Sequence, residues 1–394
     1  MPRRHSKPAR TSHFADPLHG SLQPYQLQKS GGEDRPSTST KAPGQRLLSY
    51  VPHSGWGNQL RALTNALFLA STLNRTLVVP RALKHVDLAG YVICSSSGIT
   101  EFAALTGKAG AHSEERHDTY AMLATERPPV SNFLDAAKWH SVQSVEHILG
   151  RIDNMSVQSV TDQCVNETAL VSMFLPRLQS EEASLLQLGS AFTLHAPRVC
   201  TCAIAYRKDL VAGIMKLGRS KLGHEFDSLH LRLDEGQHLR FDAEQLVSST
   251  LTANVARPLY LASDNVDDAI RVVNVVKQRI CTKHGQCRRH ILTQHDLNAD
   301  RAGEVLSYLS LRAQHESEFM RPLLIDAVLA LGSNSFFASN KSTFSGHIKA
   351  MRNCANFPGL NDCSPSTVSK TQMKLQRSGS LDLLDSTSAR GLPS

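Results

Sequence analysis

Residues 46–80, RLLSYVPHSGWGNQLRALTNALFLASTLNRTLVVP, decide the fold. The run LLSYV is short, apolar and uninterrupted, the pattern of a strand buried on both faces. HSGWGN follows as a glycine-rich turn. QLRALTNALFLASTLN then sets Leu60, Leu63, Leu67 and Ala70 at helical spacing, so one face of a helix packs on the sheet. TLVVP supplies a second strand. Strand, helix and strand in this order form a βαβ unit, whose strands run parallel.

Working outward, a second series of the same kind starts near Asp227. SLHLRL, PLYLAS and RHILTQ each read as a short buried strand ending in polar residues. VDDAIRVVNVV reads as a helix after the second of them. Pro322 opens a helix in RPLLIDAVLALG, SFFAS gives another strand, and STFSGHIKAMR starts a helix with Ser342 or Thr343 as its N-cap. The fold class is therefore α/β. Between residues 91 and 218 periodicity leaves the details open, with helical patches expected at 181–189 and 202–217.

At 394 residues the chain exceeds the size at which one hydrophobic core stops growing. Two domains are expected, at 46–218 and 219–364. The flanks, 1–45 and 365–394, are rich in Ser, Pro, Gly, Lys and Arg and are expected to be disordered tails. With 41% apolar and 20% charged residues, the composition is that of an ordinary globular protein. The net charge of +8 is spread along the chain, with no basic run interleaved with aromatics, which excludes nucleic acid as the expected partner. A positive field also suits a cleft that gathers an anionic nucleotide.

No run approaches the roughly 20 apolar residues of a membrane helix, so no span is expected. The opening MPRRHSKPARTSHFADPLHG is basic without the apolar core of a secretory signal. Against that stand eight cysteines and sequons at Asn74, Asn154, Asn166 and Asn340, which favour a lumenal protein. Cysteine spacing does not point to zinc. Cys281 and Cys287 bracket a short polar loop and are expected to pair, as are Cys354 and Cys363; buried free thiols are the other reading.

Three motifs carry chemistry. HSGWGNQ sets Gly55, Gly57 and Asn58 between a strand and a helix, where glycine permits close approach and the helix amides face an anion. A structural turn with Asn58 as cap explains it equally well. In LHLRLDEG, Arg232 ends a strand at the edge where α/β sheets bind ligands, and its planar fork suits phosphate oxygens. A salt bridge to Asp234 or Glu235 is the alternative. Asp326 interrupts an apolar helix, so its carboxylate needs a partner: a local arginine, a capping amide, or the paired N–H donors of guanine. Ser342, Thr343 and Phe344 lie at a strand-to-helix turn that either holds phosphate or caps the helix. In YLASDN, Ser263 and Asp264 end a strand and read first as caps of the next helix.

In this order the motifs resemble the signatures of the fucosyltransferase superfamily that includes protein O-fucosyltransferases and α1,6-fucosyltransferases. GWGNQLRALTNALFLASTLNRTLVVP resembles its first βαβ unit, HLR its diphosphate-binding strand end, and Asp326 followed by KSTFSGHIKAMR its nucleotide motif. The resemblance implies the GT-B architecture, two Rossmann-like domains facing across a cleft, with the first on the acceptor side. It implies inverting transfer of fucose from GDP-fucose to a protein or glycan hydroxyl in the Golgi or ER lumen, with no metal or other cofactor. Arg232 would bind the diphosphate, His230 would lie beside the nucleotide through its backbone, and Asp326 would recognise guanine. Ser342, Thr343 and Phe344 would line the phosphate and base site, with Gly55, Gly57 and Asn58 approaching the sugar-phosphate bond; Arg232 and Asn58 are the expected catalytic pair. Some relatives carry a glutamate base in the first loop, but residues 50–60 contain no carboxylate, leaving Asp234 and Glu235 as candidates by location. Leu233 stands where many relatives have a second polar residue. A silent nucleotide- or glycan-binding module and a transferase using another GDP-sugar are the rival readings.

Overall fold

The computed structural model describes residues 45–50, 52, 55–83, 127–136, 139, 142–144, 157–160, 169–188, 191, 194–233, 238–253, 255–284, 289–301, 304–339 and 342–354. These lie in one compact unit, residues 44–394. Both expected tails fall outside the described residues, except for Gln45.

The chain is α/β with two main parallel sheets. The first runs β3-β2-β1-β6-β4, from β1 (Leu47–Tyr50), β2 (Thr76–Val79), β3 (Val142–Ser144), β4 (Val157–Val160) and β6 (Leu185–Leu188). The second runs β10-β9-β8-β11, from β8 (Asp227–Leu231), β9 (Leu259–Ser263), β10 (Ile291–Thr293) and β11 (Phe336–Ala338). β5 (Ala169–Leu170) and β7 (Leu194–His195) form a short parallel pair of their own. Each main sheet reverses its strand order beside its first strand: β1 lies between β2 and β6, and β8 between β9 and β11. The crevices at the carboxyl ends of those strands are where open α/β sheets accept ligands.

The nine helices among the described residues are α1 (Trp56–Thr72), α2 (Val171–Gln179), α3 (Lys208–Leu222), α4 (His238–Ala253), α5 (Val266–His284), α6 (Gln294–Arg301), α7 (Leu311–Ser317), α8 (Arg321–Gly332) and α9 (Thr343–Asn353). α1 buries more than the one face its spacing predicts. Leu60, Leu63, Ala66, Leu67 and Leu69 are all buried, because the helix meets β1 and β2 on one side and α9 and the 3-10 turn Arg198–Ala203 on others. Each such leucine contributes about 1.5–3 kcal/mol of apolar transfer. Its interior polar residues are tied to loops: Gln59 exchanges two hydrogen bonds with the backbone of Leu83, at 2.8 and 3.1 Å. Asn65 donates to Ala191 O at 2.6 Å and accepts from Ala196 N at 3.0 Å.

β8 is pinned at its start by Asp227, which is fully buried, accepts from Ser335 N at 3.1 Å and pairs with Arg289. Arg289 in turn donates to Thr250 O at 2.6 Å and Arg257 O at 2.9 Å, so one ion pair joins β8, α4 and the turn before β9. A buried pair this fully hydrogen-bonded keeps its charges satisfied.

Two expectations are corrected. Residues 181–189 hold strand β6 rather than a helical patch: LLQL is buried along its whole length between β1 and β4, and a continuous apolar run does not distinguish strand from helix. Cys354 pairs with Cys202, 152 residues away, and not with Cys363, because the end of α9 packs on the Arg198–Ala203 turn. Cys281 is also disulfide-bonded. The expected partner, Cys287, lies outside the described residues. The 202–217 patch contains the end of that turn and most of α3, and the boundary expected at 218/219 falls within α3.

Candidate functional site at the strand ends

Arg232 follows directly on β8, at the carboxyl edge between β9 and β11. Ser339, just beyond β11, stitches this end together: its Oγ accepts from Arg232 N at 3.1 Å and donates to His230 O at 3.2 Å. Asp264, just beyond β9, fixes the side chain, with Oδ2 3.1 Å from Arg232 Nε and Oδ1 accepting from Leu233 N at 3.2 Å. An arginine held through Nε keeps its planar fork in one orientation. Asp234 and Glu235, the salt-bridge partners that the alternative reading of Arg232 offered, lie outside the described residues. Asp264 is not the cap of α5: Asn265 takes that role, its Oδ1 accepting from Asp268 N at 3.2 Å.

His230 lies within β8, buried, with Nδ1 2.8 Å from Ser345 Oγ. Its ring packs at 4.7 Å on that of Phe344. Strand β8 thereby grips the first turn of α9. Ser342 is the N-cap of α9, accepting from Ser345 N at 3.3 Å, and Thr343 and Phe344 open the helix. The cap reading of Ser342 is thus met. It leaves the other first-turn amides and the positive end of the helix dipole at the strand edge.

The first glycine motif arrives at the same place. A Cβ on Gly57 would lie 2.8 Å from both N and Cα of Phe344, so α1 and α9 meet backbone to backbone, which only glycine permits. Gly55 is the N-cap of α1, its carbonyl accepting from Asn58 N at 2.9 Å and Gln59 N at 3.1 Å. Asn58 does not cap. It sits in the first turn with Oδ1 buried and without a hydrogen-bond partner among the described residues. A buried amide oxygen in this state favours a donor brought by a ligand.

Asp326 lies on α8, 7% exposed among side chains that are 0–1% exposed. Its partner is neither an arginine nor a capping amide: Tyr260 of β9 donates its hydroxyl to Oδ1 at 2.5 Å. Burial pushes the Asp326 carboxyl up to about 7, the Tyr260 hydrogen bond works against that, and the charge of Asp264 adds to it. Asp264 thus pairs with Arg232 and also acts through its charge on Asp326. Sequence reasoning missed Tyr260 and gave Asp264 a different role; the strand period of YLASDN carried no signal for either contact. Also on α9, His347 is buried with Nε2 unpartnered among the described residues, and burial lowers it to about 4, so it is neutral at pH 7.

Gly57, Phe344, His230, Arg232 and Asp264 thus form one continuous chain of neighbours, with Gly55, Asn58, Ser342 and Thr343 on the same two helix ends. Beside the turn, at the ends of β1 and β2, a pocket is lined by Tyr50, Trp56, Gln59, Pro80, Arg81 and Val130. Trp56 is held there by Tyr206, whose hydroxyl accepts from Nε1 at 3.2 Å. Among the described residues no group of three His, Cys, Asp or Glu is placed to hold a metal, and no helix is long and apolar enough to cross a membrane.

No protein-family model matches the chain. Over 42 residues it is 55% identical to O-fucosyltransferase 30 of Arabidopsis thaliana, a match spanning 11% of this chain and only 8% of that protein. Among solved structures it is similar to POFUT1 in complex with GDP-fucose, at 16% identity over 79% of this chain and 95% of that one, with a TM-score of 0.42. The fucosyltransferase NodZ from Bradyrhizobium matches at 12% identity over 77% and 92%, with a TM-score of 0.40. The likeness in sequence is thus confined to 42 residues of an O-fucosyltransferase, of which the chain spans less than a tenth.

Proposed function

We propose that the chain is a GDP-fucose-dependent fucosyltransferase of the GT-B kind, and that the strand-end cluster is its donor site. The observation that carries this reading is that β8, which leads directly into Arg232, meets the capped amino end of α9 through His230, and that the glycine turn of α1 meets the same end of α9 through Gly57, where the second sheet reverses its strand order. A cation on one side and free helix amides on the other suit a diphosphate. Asp326 supplies carboxylate lone pairs for the N–H donors of guanine. Residues 46–218 form the acceptor-side domain and 219–364 the donor domain, with α3 and α9 crossing between them.

In the reaction, an acceptor hydroxyl on a protein or glycan attacks C1 of fucose from the face opposite GDP. The C1–O bond to the β-phosphate breaks, its electron pair stays on the phosphate oxygen, the hydroxyl proton passes to that departing phosphate or to solvent, and configuration inverts. Arg232 stabilises that developing charge, and Asn58 orients the sugar-phosphate bond. No divalent ion takes part. With no carboxylate in residues 50–60, stabilisation of the leaving GDP carries most of the acceleration. A lumenal location is supported by the Cys202–Cys354 disulfide and by the exposed sequon at Asn74.

Calorimetric titration in EDTA tests the donor site: GDP and GDP-fucose bind, and UDP does not. Binding of UDP without GDP overturns the guanine role of Asp326. The missing loop carboxylate also favours a second reading, a silent nucleotide-binding module. That reading predicts GDP binding without GDP release from GDP-fucose. Release from a different GDP-sugar alone identifies a transferase with another donor.

A further inference from the structure

We infer that Tyr260 is a positioning residue of the donor site, whose hydroxyl reaches from β9 to Asp326 on α8 and holds that carboxylate in the orientation that receives a guanine edge. The inference rests on the donor reading above and adds to it a residue that touches no ligand. Tyr260 is fully buried, and its hydroxyl donates to Asp326 Oδ1 at 2.5 Å. Its neighbours along α8, Leu324, Ile325, Ala327, Val328 and Leu329, are buried and apolar. A carboxylate has about four lone-pair sites, and the tyrosine takes one of them. The remaining sites suit two N–H donors, and the hydrogen bond favours one orientation of the group.

The hydroxyl also acts on charge. Burial drives Asp326 toward its neutral form, which would present an O–H to guanine's own N–H donors, and the Tyr260 hydrogen bond opposes that drive. The other ionisable groups on the packed elements do not replace it. Asp264, beyond β9, pushes Asp326 upward, and Asp296 of α6 acts on Tyr260 by raising it further. From β8, His230 is engaged with Ser345 and Asp227 with Arg289. From α9, His347 is neutral by burial and Arg352 donates to Ala330 O at 2.8 Å. The turn before α8 brings Glu318, paired with Arg321, and α3 meets α8 through Met215 and Gly218, which carry no charge.

The test is Tyr260→Phe in the full chain, which keeps the buried ring and removes only the oxygen, titrated with GDP from about pH 6 to about pH 9 beside wild type and Asp326→Asn. Losing one hydrogen bond to a charged group weakens binding about tenfold or more at neutral pH. The deficit widens toward pH 6 and narrows toward pH 9, where Asp326 ionises unaided. In the ligand-free protein, carbon-13 titration of the Asp326 carboxyl moves upward in the variant. A variant that matches wild type throughout, or that loses affinity equally at every pH without moving that titration, overturns the role of Tyr260 and leaves the donor reading standing. A wild type that binds no GDP at any pH overturns the donor reading and the tyrosine's role with it.

Discussion

Gly57→Ala is the sharpest structural perturbation of the site. The added methyl falls 2.8 Å from Phe344 N and Cα, and ordinary contact begins at 3.4 Å, so α1 and α9 must part by about 0.6 Å (3.4 less 2.8). The obstacle is backbone, not the tip of a side chain that can swing away. Overpacking of this kind costs about 1–3 kcal/mol. Exchange of glycine for alanine returns at most about 1 kcal/mol of helix propensity, and less in a first turn. A net loss of about 1–2 kcal/mol remains, which lowers Tm by roughly 2–4 °C per kcal/mol. Because the shift displaces the amino end of α9 from Arg232, GDP affinity falls as well. Gly55→Ala is the stability control: its φ is −69° and a Cβ meets no protein atom within 4 Å, so Tm holds. Differential scanning calorimetry of the two variants and GDP titration of Gly57→Ala decide. Equal Tm in the two, with wild-type GDP affinity in Gly57→Ala, would refute the backbone contact between the helices.

Further outcomes are expected. Arg232→Ala, shown folded by circular dichroism, loses about 100- to 1000-fold in turnover, more than in GDP affinity, and Arg232→Lys restores only part because it lacks the fork. Asp326 titrates at about 7 in the folded protein against 3.8 for the free group, so its ionisation opposes folding: the cost is small near pH 4, grows as pH rises from there toward 7, and is fully present above 7. Asp326→Asn therefore stabilises the ligand-free chain at pH 8 by at most about 4 kcal/mol, little near pH 4, and abolishes tight GDP binding; urea melts at the two pH values check the sign. Non-reducing peptide mapping recovers Cys202 joined to Cys354, and Cys202→Ser with Cys354→Ser lowers stability by about 2–5 kcal/mol, since the closed loop spans 152 residues.

The α/β class and most strands were legible because short apolar runs between polar ends admit few other readings, as in SLHLRL and PLYLAS. Site residues were legible where the chain itself concentrates them, at the strand end of Arg232 and the cap of α9. Pairings across the fold were not. The Tyr260–Asp326 bond joins residues 66 apart, and the Arg232–Asp264 pair joins two strand ends, so neither leaves a local pattern. β6 failed for a different reason: LLQL fits either period, and only its neighbours β1 and β4 make it a strand. Gly57 looked like a residue for a ligand or a turn, and its closest constraint is Phe344.

The central claim is that the cluster around Arg232 activates a GDP-sugar. Incubating the purified chain with GDP-fucose in EDTA and measuring released GDP, for wild type and for folded Arg232→Ala, tests it most directly. The account predicts steady release by wild type and a loss of about 100-fold or more in the variant. Release at the wild-type rate by Arg232→Ala would contradict it, as would wild-type protein that binds GDP-fucose and releases nothing with any acceptor.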